Sequence, residues 1–372
     1  AHDSTLVAST VLSMDTAPQR TTLVVIYGGQ SAEHDVSCVT AAHVLRAADP
    51  AKYRTVAIAI GRDGSWSAPQ FPQLAEGGVN PAEIPERLTA SGDITSSSAI
   101  TTLASHGPTV VMPLLHGPMG EDGTVQGLLE LLDLPYVGSA VLASAVAMDK
   151  GMAKDLFSHA GIPQVRYAVL REDKISPASL DAVASDLGFP LFVKPANMGS
   201  SVGVTKAHDA AELQAAVRLA TTYDQWIVFE ESVTARELEV AVIGNRSPRA
   251  SVVGEIKPGK EFYDYEDKYV TDSATLMIPA PLTDDESTEL RALAIRAYET
   301  LRCEGMARVD FFYEENGRGF LCNEINTIPG FTPISMYPKM WAATGLPYSQ
   351  LIDELVDYAV ERHARRKRNT AH

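Results

Sequence analysis

The sequence predicts an α/β protein with two or three domains, and three observations carry that expectation. Continuous β-branched runs such as 22–27 (TLVVIY) and 109–115 (TVVMPLL) alternate with segments of helical spacing. The runs end in Gly-rich loops, where open α/β sheets place their ligands. At 372 residues, 45% of them hydrophobic and 21% charged, the chain is long enough for more than one core and ordinary for a folded enzyme.

The first unit is a strand over Thr22 to Tyr27, a loop through Gly28 and Gly29, helical character over Glu33 to Leu45, and a second strand near Val56 to Ile60. A dinucleotide-binding start is the obvious rival, but Gly28-Gly29-Gln30-Ser31-Ala32-Glu33 does not form GxGxxG. The loop carries Glu33 and His34 at a helix start instead. From Phe71 to Gly107 the composition turns to Pro, Gly, Ser and Thr with little periodicity, so a surface excursion without chemistry is expected. The strand over Thr109 to Leu115 then delivers His116-Gly117-Pro118-Met119-Gly120-Glu121-Asp122-Gly123-Thr124. Glycine at that density permits close backbone approach to a ligand. A helix over Gly127 to Leu132 and a short strand over Pro135 to Gly138 close this domain near Gly138. A helix over Ala140 to Phe157, broken near Asp149-Lys150, opens the next.

Leu191 to Pro195 reads as a strand carrying Lys194. The small-residue loop Ala196 to Val204 follows, in which the N–H groups and hydroxyls of Ser200 and Ser201 can form an anion nest. Trp226 to Val233 is a strand running into a polar connection, and Arg236 to Val240 begins another. Phe262 to Tyr269, between strands over Ala250 to Ile256 and Ala274 to Ile278, is too polar and aromatic for a buried strand. The last helix, Tyr348 to Arg366, has apolar residues at Leu351, Leu355, Tyr358 and Ala359, and its basic end, Arg362 to Arg368, is expected to be solvated.

The stretch Arg308 to Thr332 carries the most chemistry. Val309 to Tyr313 and Gly319 to Glu324 are β-prone runs separated by a segment with Asn316-Gly317, a hairpin-turn signal, so antiparallel pairing is expected. Glu324 and Asn326 then leave one face of their strand, with Asp310 opposite. Two carboxylates and an amide oxygen suit a hard ion such as Mg²⁺, with Arg308 as a neighbouring permanent cation.

A net charge of −16 opposes binding of nucleic acid, while a local cationic pocket for a small anion remains compatible with it. Cys38, Cys303 and Cys322 fit neither a zinc nor a disulfide spacing and read as core residues in a reducing compartment. No membrane span or signal peptide is evident, so a cytoplasmic location is expected. Residues 1–13 are set aside, since a start at Met14 would leave a short lead into the first strand.

Several ordered motifs between Leu23 and Val360 resemble those of ATP-grasp ligases, and in particular of the D-alanine–D-alanine ligase family. They are the stretch from Gly28 to Ser37, HGPMGEDGT, VKPANMGSSVG, FYDYEDKY and RVD with NEINTIPGFT. The resemblance implies an ATP-grasp fold of three α/β domains, at 21–138, 139–233 and 234–372, with a nucleotide between the central and C-terminal sheets. It implies ATP as co-substrate, Mg²⁺ with Mn²⁺ as a substitute, two molecules of D-alanine, and a homodimer that binds neither nucleic acid nor membrane. Glu33 would orient the first D-alanine, and His116, Lys268, Ser335 and Met336 would contact substrate. Lys150, Lys194, Ser200, Ser201 and Lys268 would hold the phosphates. Glu230, Glu231, Val233 and Glu237 would hold adenine and ribose, Glu231 and Val233 through their backbone. Glu231 replaces a lysine found in some relatives, and Ser232 an aromatic residue. Asp310, Glu324 and Asn326 would bind the metal, Arg308 and the N–H of Gly330 would stabilise the oxyanion, and Tyr269 would bond toward Ser200 to close a lid. Ligation to D-lactate is the alternative reaction. A dinucleotide-dependent oxidoreductase lacks its fingerprint, and a non-catalytic nucleotide-binding regulator would have little use for the metal ligands together with Arg308 and the lid.

Overall fold

A computed structural model of the chain describes residues 20–69, 84–90, 92–94, 107–257 and 275–366, with 68, 69 and 92–94 described by backbone only. Three sheets organise these residues, in the strand orders β4-β3-β2-β1-β5, β6-β9-β7-β8 and β12-β11-β10-β13-β14.

The first sheet contains β1 (Thr21–Gly28), β2 (Tyr53–Ile60), β3 (Trp66–Pro69), β4 (Gly92–Ile94) and β5 (Thr109–Pro113). β1 lies parallel to both β2 and β5, and Leu23 to Tyr27 are fully buried, which accounts for the unbroken apolar run. Helix α1 (His34–Ala47) crosses between β1 and β2. The antiparallel strands β3 and β4 were not foreseen, and β4 falls in the stretch expected to be irregular. The expected strand at 135–138 reduces to a single bridge between Val111 and Tyr136. Helix α2 spans Thr124–Leu131.

Helices α3 (Val141–Met148) and α4 (Lys150–His159) are separated at Asp149, whose carboxylate caps α4 through the N–H of Met152. The helix break read from the sequence is thus an N-cap. The second sheet holds β6 (Tyr167–Arg171), β7 (Leu191–Pro195), β8 (Thr205–Ala207) and β9 (Trp226–Glu231), all antiparallel to their neighbours. Helices α5 (Pro177–Leu187) and α6 (Ala210–Ala220) cover it through Leu180, Val183, Leu213 and Val217.

The third sheet is antiparallel throughout, with β10 (Arg236–Gly244), β11 (Arg249–Lys257), β12 (Thr275–Met277), β13 (Gly305–Glu314) and β14 (Gly319–Asn326). One face packs on α7 (Asp284–Thr300). The same core takes Ala143, Ala147, Ala153 and Phe157, so α3 and α4 serve the third sheet although they precede the second in sequence. Helices α8 (Met336–Ala343) and α9 (Tyr348–Arg366) join the other core. Trp341, Leu351, Ile352 and Leu355 there pack in one cluster with Val25, Tyr27 and Met112 of the first sheet. Cys38, Cys303 and Cys322 are buried with free thiols, as expected. Among the described residues no helix is long and apolar enough to cross a membrane.

Two buried cations tie these layers. Arg362 was expected in a solvated basic end, but it is 2% exposed. It donates to the carbonyl oxygens of Gly138 and Tyr136, the latter at 2.7 Å, with its guanidinium 4.2 Å from the Tyr136 ring centroid. A short connection left two carbonyls facing the interior, and an arginine reaching from α9 satisfies both. Lys154, on α4, lies 3.1 Å from Glu230 on β9, both nearly inaccessible, and Lys194 reaches the other oxygen at 2.7 Å. Burial opposes ionisation of Glu230, but Lys154 and Lys194 bring its pKa down from the ordinary 4.5 to about 2.

Arg362→Met should lower the unfolding free energy by ~2–4 kcal/mol, because two buried carbonyls lose their donor. A urea midpoint that falls with unchanged slope would report it. Glu230 carries a depressed pKa, so its stabilisation is complete above the unfolded value of 4.5 and is lost as pH falls toward 2. Between pH 5 and 2 the melting temperature of the natural sequence should therefore fall more steeply than that of Glu230→Gln, which has no carboxylate there to protonate.

Candidate active site

The site begins where one face of the third sheet changes character. On β10 the alternation runs Glu237, Glu239, Ala241, Ile243, and on β13 it runs Met306, Arg308, Asp310, Phe312, with Glu239 opposite Asp310 and Ala241 opposite Arg308. Ala241, Ile243 and Met306 belong to the shared core, so this face passes from core to polar cleft within about two residues of each strand. On β14, Glu324 pairs with Asp310 and Asn326 with Arg308, and the register shifts just beyond Asp310. Arg308, Asp310, Glu324 and Asn326 thus share one face, while Val309, Phe311 and Ile325 point into the opposite core.

Arg308 donates to both Asp310 oxygens, Nε at 2.7 Å and Nη2 at 2.6 Å, and its Nε lies 3.2 Å from Glu239. Burial works against its charge, but Asp310 and Glu239 outweigh that and hold its pKa well above the usual value. Asn326 accepts from the N–H of Ile328 at 3.1 Å, and Glu324 lies 3.9 Å from Lys150. Among the described residues no group of three or more His, Cys, Asp or Glu is arranged to hold a metal. The predicted set has two carboxylates and one amide, all hard oxygen donors, and Asp310 already serves Arg308. Such a set fits an ion that takes most of its ligands from water and phosphate, as Mg²⁺ does.

Two lysines face these carboxylates. Lys150 is the first residue of α4; its N–H bonds to Ala196 O at 3.1 Å and its Nζ to Met198 O at 2.6 Å, which fixes the loop after β7. Burial lowers its pKa against the pull of Glu324. Lys194 on β7 is buried too, but the neighbouring Glu230 more than offsets that and its pKa is raised. Both lysines feel the charge of Glu324, and Lys194 also that of Glu237. Glu230 lies inside, between Lys154 and Lys194. Glu231 closes β9, with its N–H bonded to Arg166 O at 3.1 Å, and Val233 stands half-buried in the connection to β10.

The loop over 196–204 turns tightly, with Ser200 at φ 49° and Ser201 at φ 59°, and Val202 N–H bonded to Gly199 O. Two non-glycine residues in the left-handed region cost about 1–3 kcal/mol each, and such strain clusters at ligand clamps. A Cβ on Gly199 would stand 2.9 Å from a Glu33 carboxylate oxygen and 3.9 Å from Gly117 Cα, so this loop lies directly against the first sheet's loops. Glu33 precedes α1 as its N-cap residue without capping it. Its charge acts on His116 and on Glu121. His116 is buried, with Nδ1 3.1 Å from Ile328 O and Nε2 without a hydrogen-bond partner among the described residues. Burial lowers its pKa, so the ring is neutral near pH 7. Glu121 accepts from Gly117 N–H at 2.8 Å, and burial, with Glu33, raises its pKa well above the ordinary range.

Beyond β14 the chain turns through Gly330, where a Cβ would meet Ser335 Oγ at 3.0 Å. Ser335 precedes α8 and its Oγ accepts from Thr332 N–H at 3.2 Å. Met336, expected among the substrate-binding residues, is the first residue of α8. Its side chain is buried in the shared core, against Gly254 of β11.

The structure therefore gathers loops 28–33, 116–121, 196–204 and 327–335 around the polar face of the third sheet. Lys268 and Tyr269, with the rest of the expected lid at 262–269, lie outside the described residues. At the site, three buried ionisable residues were missed. Lys154 follows Lys150 by four residues on one helix face, Glu239 follows Glu237 by two on one strand, and Glu121 stands inside the HGPMGEDGT motif, so each carried a periodic or positional signal.

Comparisons with known proteins give the family of the chain. The family model described as D-ala D-ala ligase N-terminus matches residues 22–139, and that described as D-ala D-ala ligase C-terminus matches 156–357. A D-alanine–D-alanine ligase of Solibacter usitatus is 47% identical over 92% of this chain and 96% of its own length. Among solved structures, the D-alanine-D-alanine ligase from Coxiella burnetii superposes with a TM-score of 0.77 at 35% identity, over 94% of this chain and 96% of that one. The VanG D-Ala:D-Ser ligase from Enterococcus faecalis gives 0.76 at 33%, over 92% of this chain and 100% of that one. With both halves matched, and the three sheets arranged as in those structures, the chain belongs to the D-alanine–D-alanine ligase family.

Proposed function

We propose that the protein joins two molecules of D-alanine into D-alanyl-D-alanine, with ATP as co-substrate and ADP and phosphate as products, for peptidoglycan precursors. The observation that carries this reading is the polar face of the third sheet, where Arg308, Asp310, Glu324 and Asn326 stand opposite Lys150 and Lys194. Identity of 47% to a named D-alanine–D-alanine ligase favours D-alanine as the second substrate over D-lactate or D-serine.

In the first step the carboxylate of one D-alanine attacks the γ-phosphorus of ATP, forming an acyl phosphate and releasing ADP. Glu33 holds the ammonium of that D-alanine, and Lys150, Lys194, Ser200 and Ser201 hold phosphate oxygens, with Lys268 reaching over from the lid. Glu230 orients Lys194, while Glu231, Val233 and Glu237 line the base and ribose. Asp310, Glu324 and Asn326 would hold Mg²⁺, which neutralises charge on the transferring phosphoryl group. In the second step the free amine of the other D-alanine attacks the acyl carbon. The C–N bond forms, the C–O bond to phosphate breaks, and the amine gives up its extra proton. Arg308 and the N–H of Gly330 stabilise the oxyanion, a role worth ~3 kcal/mol per donor. His116, Ser335 and the start of α8 at Met336 line the second substrate, and Tyr269 meets Ser200 to exclude water from the acyl phosphate. The working unit is taken as a cytoplasmic homodimer, as the family resemblance implies. Its domains are 21–138, 139–233 and 234–372, with 139–162 packed on the third sheet.

Glu324→Gln should raise the Mg²⁺ concentration needed for half-maximal ADP release by on the order of 10- to 100-fold while leaving the melting temperature near its original value. An unchanged Mg²⁺ requirement would remove Glu324 from the ligand set. Supplied with equal D-alanine, D-serine and D-lactate at pH 7.5, the protein should yield mainly D-alanyl-D-alanine by mass spectrometry. A predominance of either mixed product would overturn the second-substrate assignment and leave the ATP chemistry standing.

A further inference from the structure

Glu231 is the last residue of β9 and Arg236 the first of β10, so residues 232–235 are the chain's passage from the second sheet to the third. The Glu231 side chain is only 10% exposed and is held from both sheets. Arg166, just before β6, donates its N–H to Oε1 at 2.8 Å and its Nε to Oε2 at 2.9 Å. Arg318, in the turn between β13 and β14, places Nη1 2.6 Å from Oε1. Both arginines are anchored a second time. Arg166 donates to the carbonyls of Asp186 and Leu187 at the end of α5, at 2.5 and 3.1 Å. Arg318 makes a forked contact with Glu314, Nε at 2.7 Å and Nη2 at 3.0 Å.

Two arginines and two glutamates balance here, so the cluster has no surplus charge with which to attract a phosphate. What it has is rigidity, since a planar guanidinium held at both ends fixes distance and angle together. Four linker residues alone would let the sheets pivot. We propose that Glu231 and Arg318 form a clasp that sets the spacing of the second and third sheets at their linker, making both of them positioning residues for the nucleotide. The clasp rests on the proposed nucleotide cleft, and it assigns the Glu231 side chain a role separate from any backbone contact with the base.

The test is nucleotide binding by calorimetry, followed by steady-state kinetics. Arg318→Met should weaken ADP and AMP by the same factor, about 5- to 20-fold. It should raise the KM for ATP similarly and leave the KM for D-alanine within about twofold. Arg318→Lys, which keeps the charge, should recover part of the loss, and Glu314→Gln, which frees the second anchor of Arg318, should show a smaller loss in the same direction. Unchanged ADP affinity in Arg318→Met and Glu314→Gln would overturn the clasp. A loss larger for ADP than for AMP would overturn it too, because Arg318 would then be a phosphate contact. If the unmodified protein bound no ADP, the nucleotide reading itself would fall, and the clasp with it.

Discussion

Carboxylates gathered on one sheet face repel one another, and that repulsion is the constraint around which this structure is built. Glu237, Glu239, Asp310 and Glu324 project from three adjacent strands. Like charges at this density in a partly buried cleft call for cations close by. The cations come from different places in the chain. Arg308 rises from the sheet itself, Lys150 from the start of α4, and Lys194 from the second sheet, where Glu230 and Lys154 fix it. Arg308 compensates within its own sheet, whereas Lys150 does two jobs, bonding Met198 O in the loop after β7 while standing 3.9 Å from Glu324 on the third sheet.

Much of this was legible locally. The Asn316-Gly317 turn and the alternation of Val309 to Tyr313 were enough to predict an antiparallel hairpin with Asp310 facing Glu324, and the register bears that out. The helix break at Asp149 was visible because an acidic residue that caps a helix interrupts helical spacing. Partner choice across the chain was not legible. Nothing near Glu230 in sequence points to Lys154, 76 residues earlier, and nothing in a basic helix end says that Arg362 will turn inward to two carbonyls rather than outward to water. Periodicity reports which face a residue occupies, while the element that covers the face is decided by tertiary packing. For the same reason α3 and α4, next to the second sheet in sequence, could not be assigned to the third.

The site also shows how strain and space are distributed. Ser200 and Ser201 hold an unfavourable backbone where the 196–204 loop meets Glu33, and Gly199 lies against the Glu33 carboxylate. A neutral His116 and a Glu121 pushed toward its protonated form lie beneath that junction. Glu33 is the acid that acts from the first sheet's side, while the third sheet's face carries Glu237, Glu239, Asp310 and Glu324 with Arg308. This asymmetry suits a reaction in which a phosphorylated group is handled on one side and an amino acid on the other.

The shared core has a consequence for how the chain comes to be folded. Val25, Tyr27 and Met112 of the first sheet are covered by Leu351, Ile352, Leu355 and Ala359 of the last helix. During synthesis, at about 5–20 residues per second, the first sheet emerges long before its cover exists. Helix α1 covers part of that face early, through Ala41, Val44 and Leu45, and the remainder waits until residues 351–359 have been made. The N-terminal unit is in this sense completed only when α9 arrives, and until then it carries incompletely buried apolar surface, the kind of surface that favours aggregation.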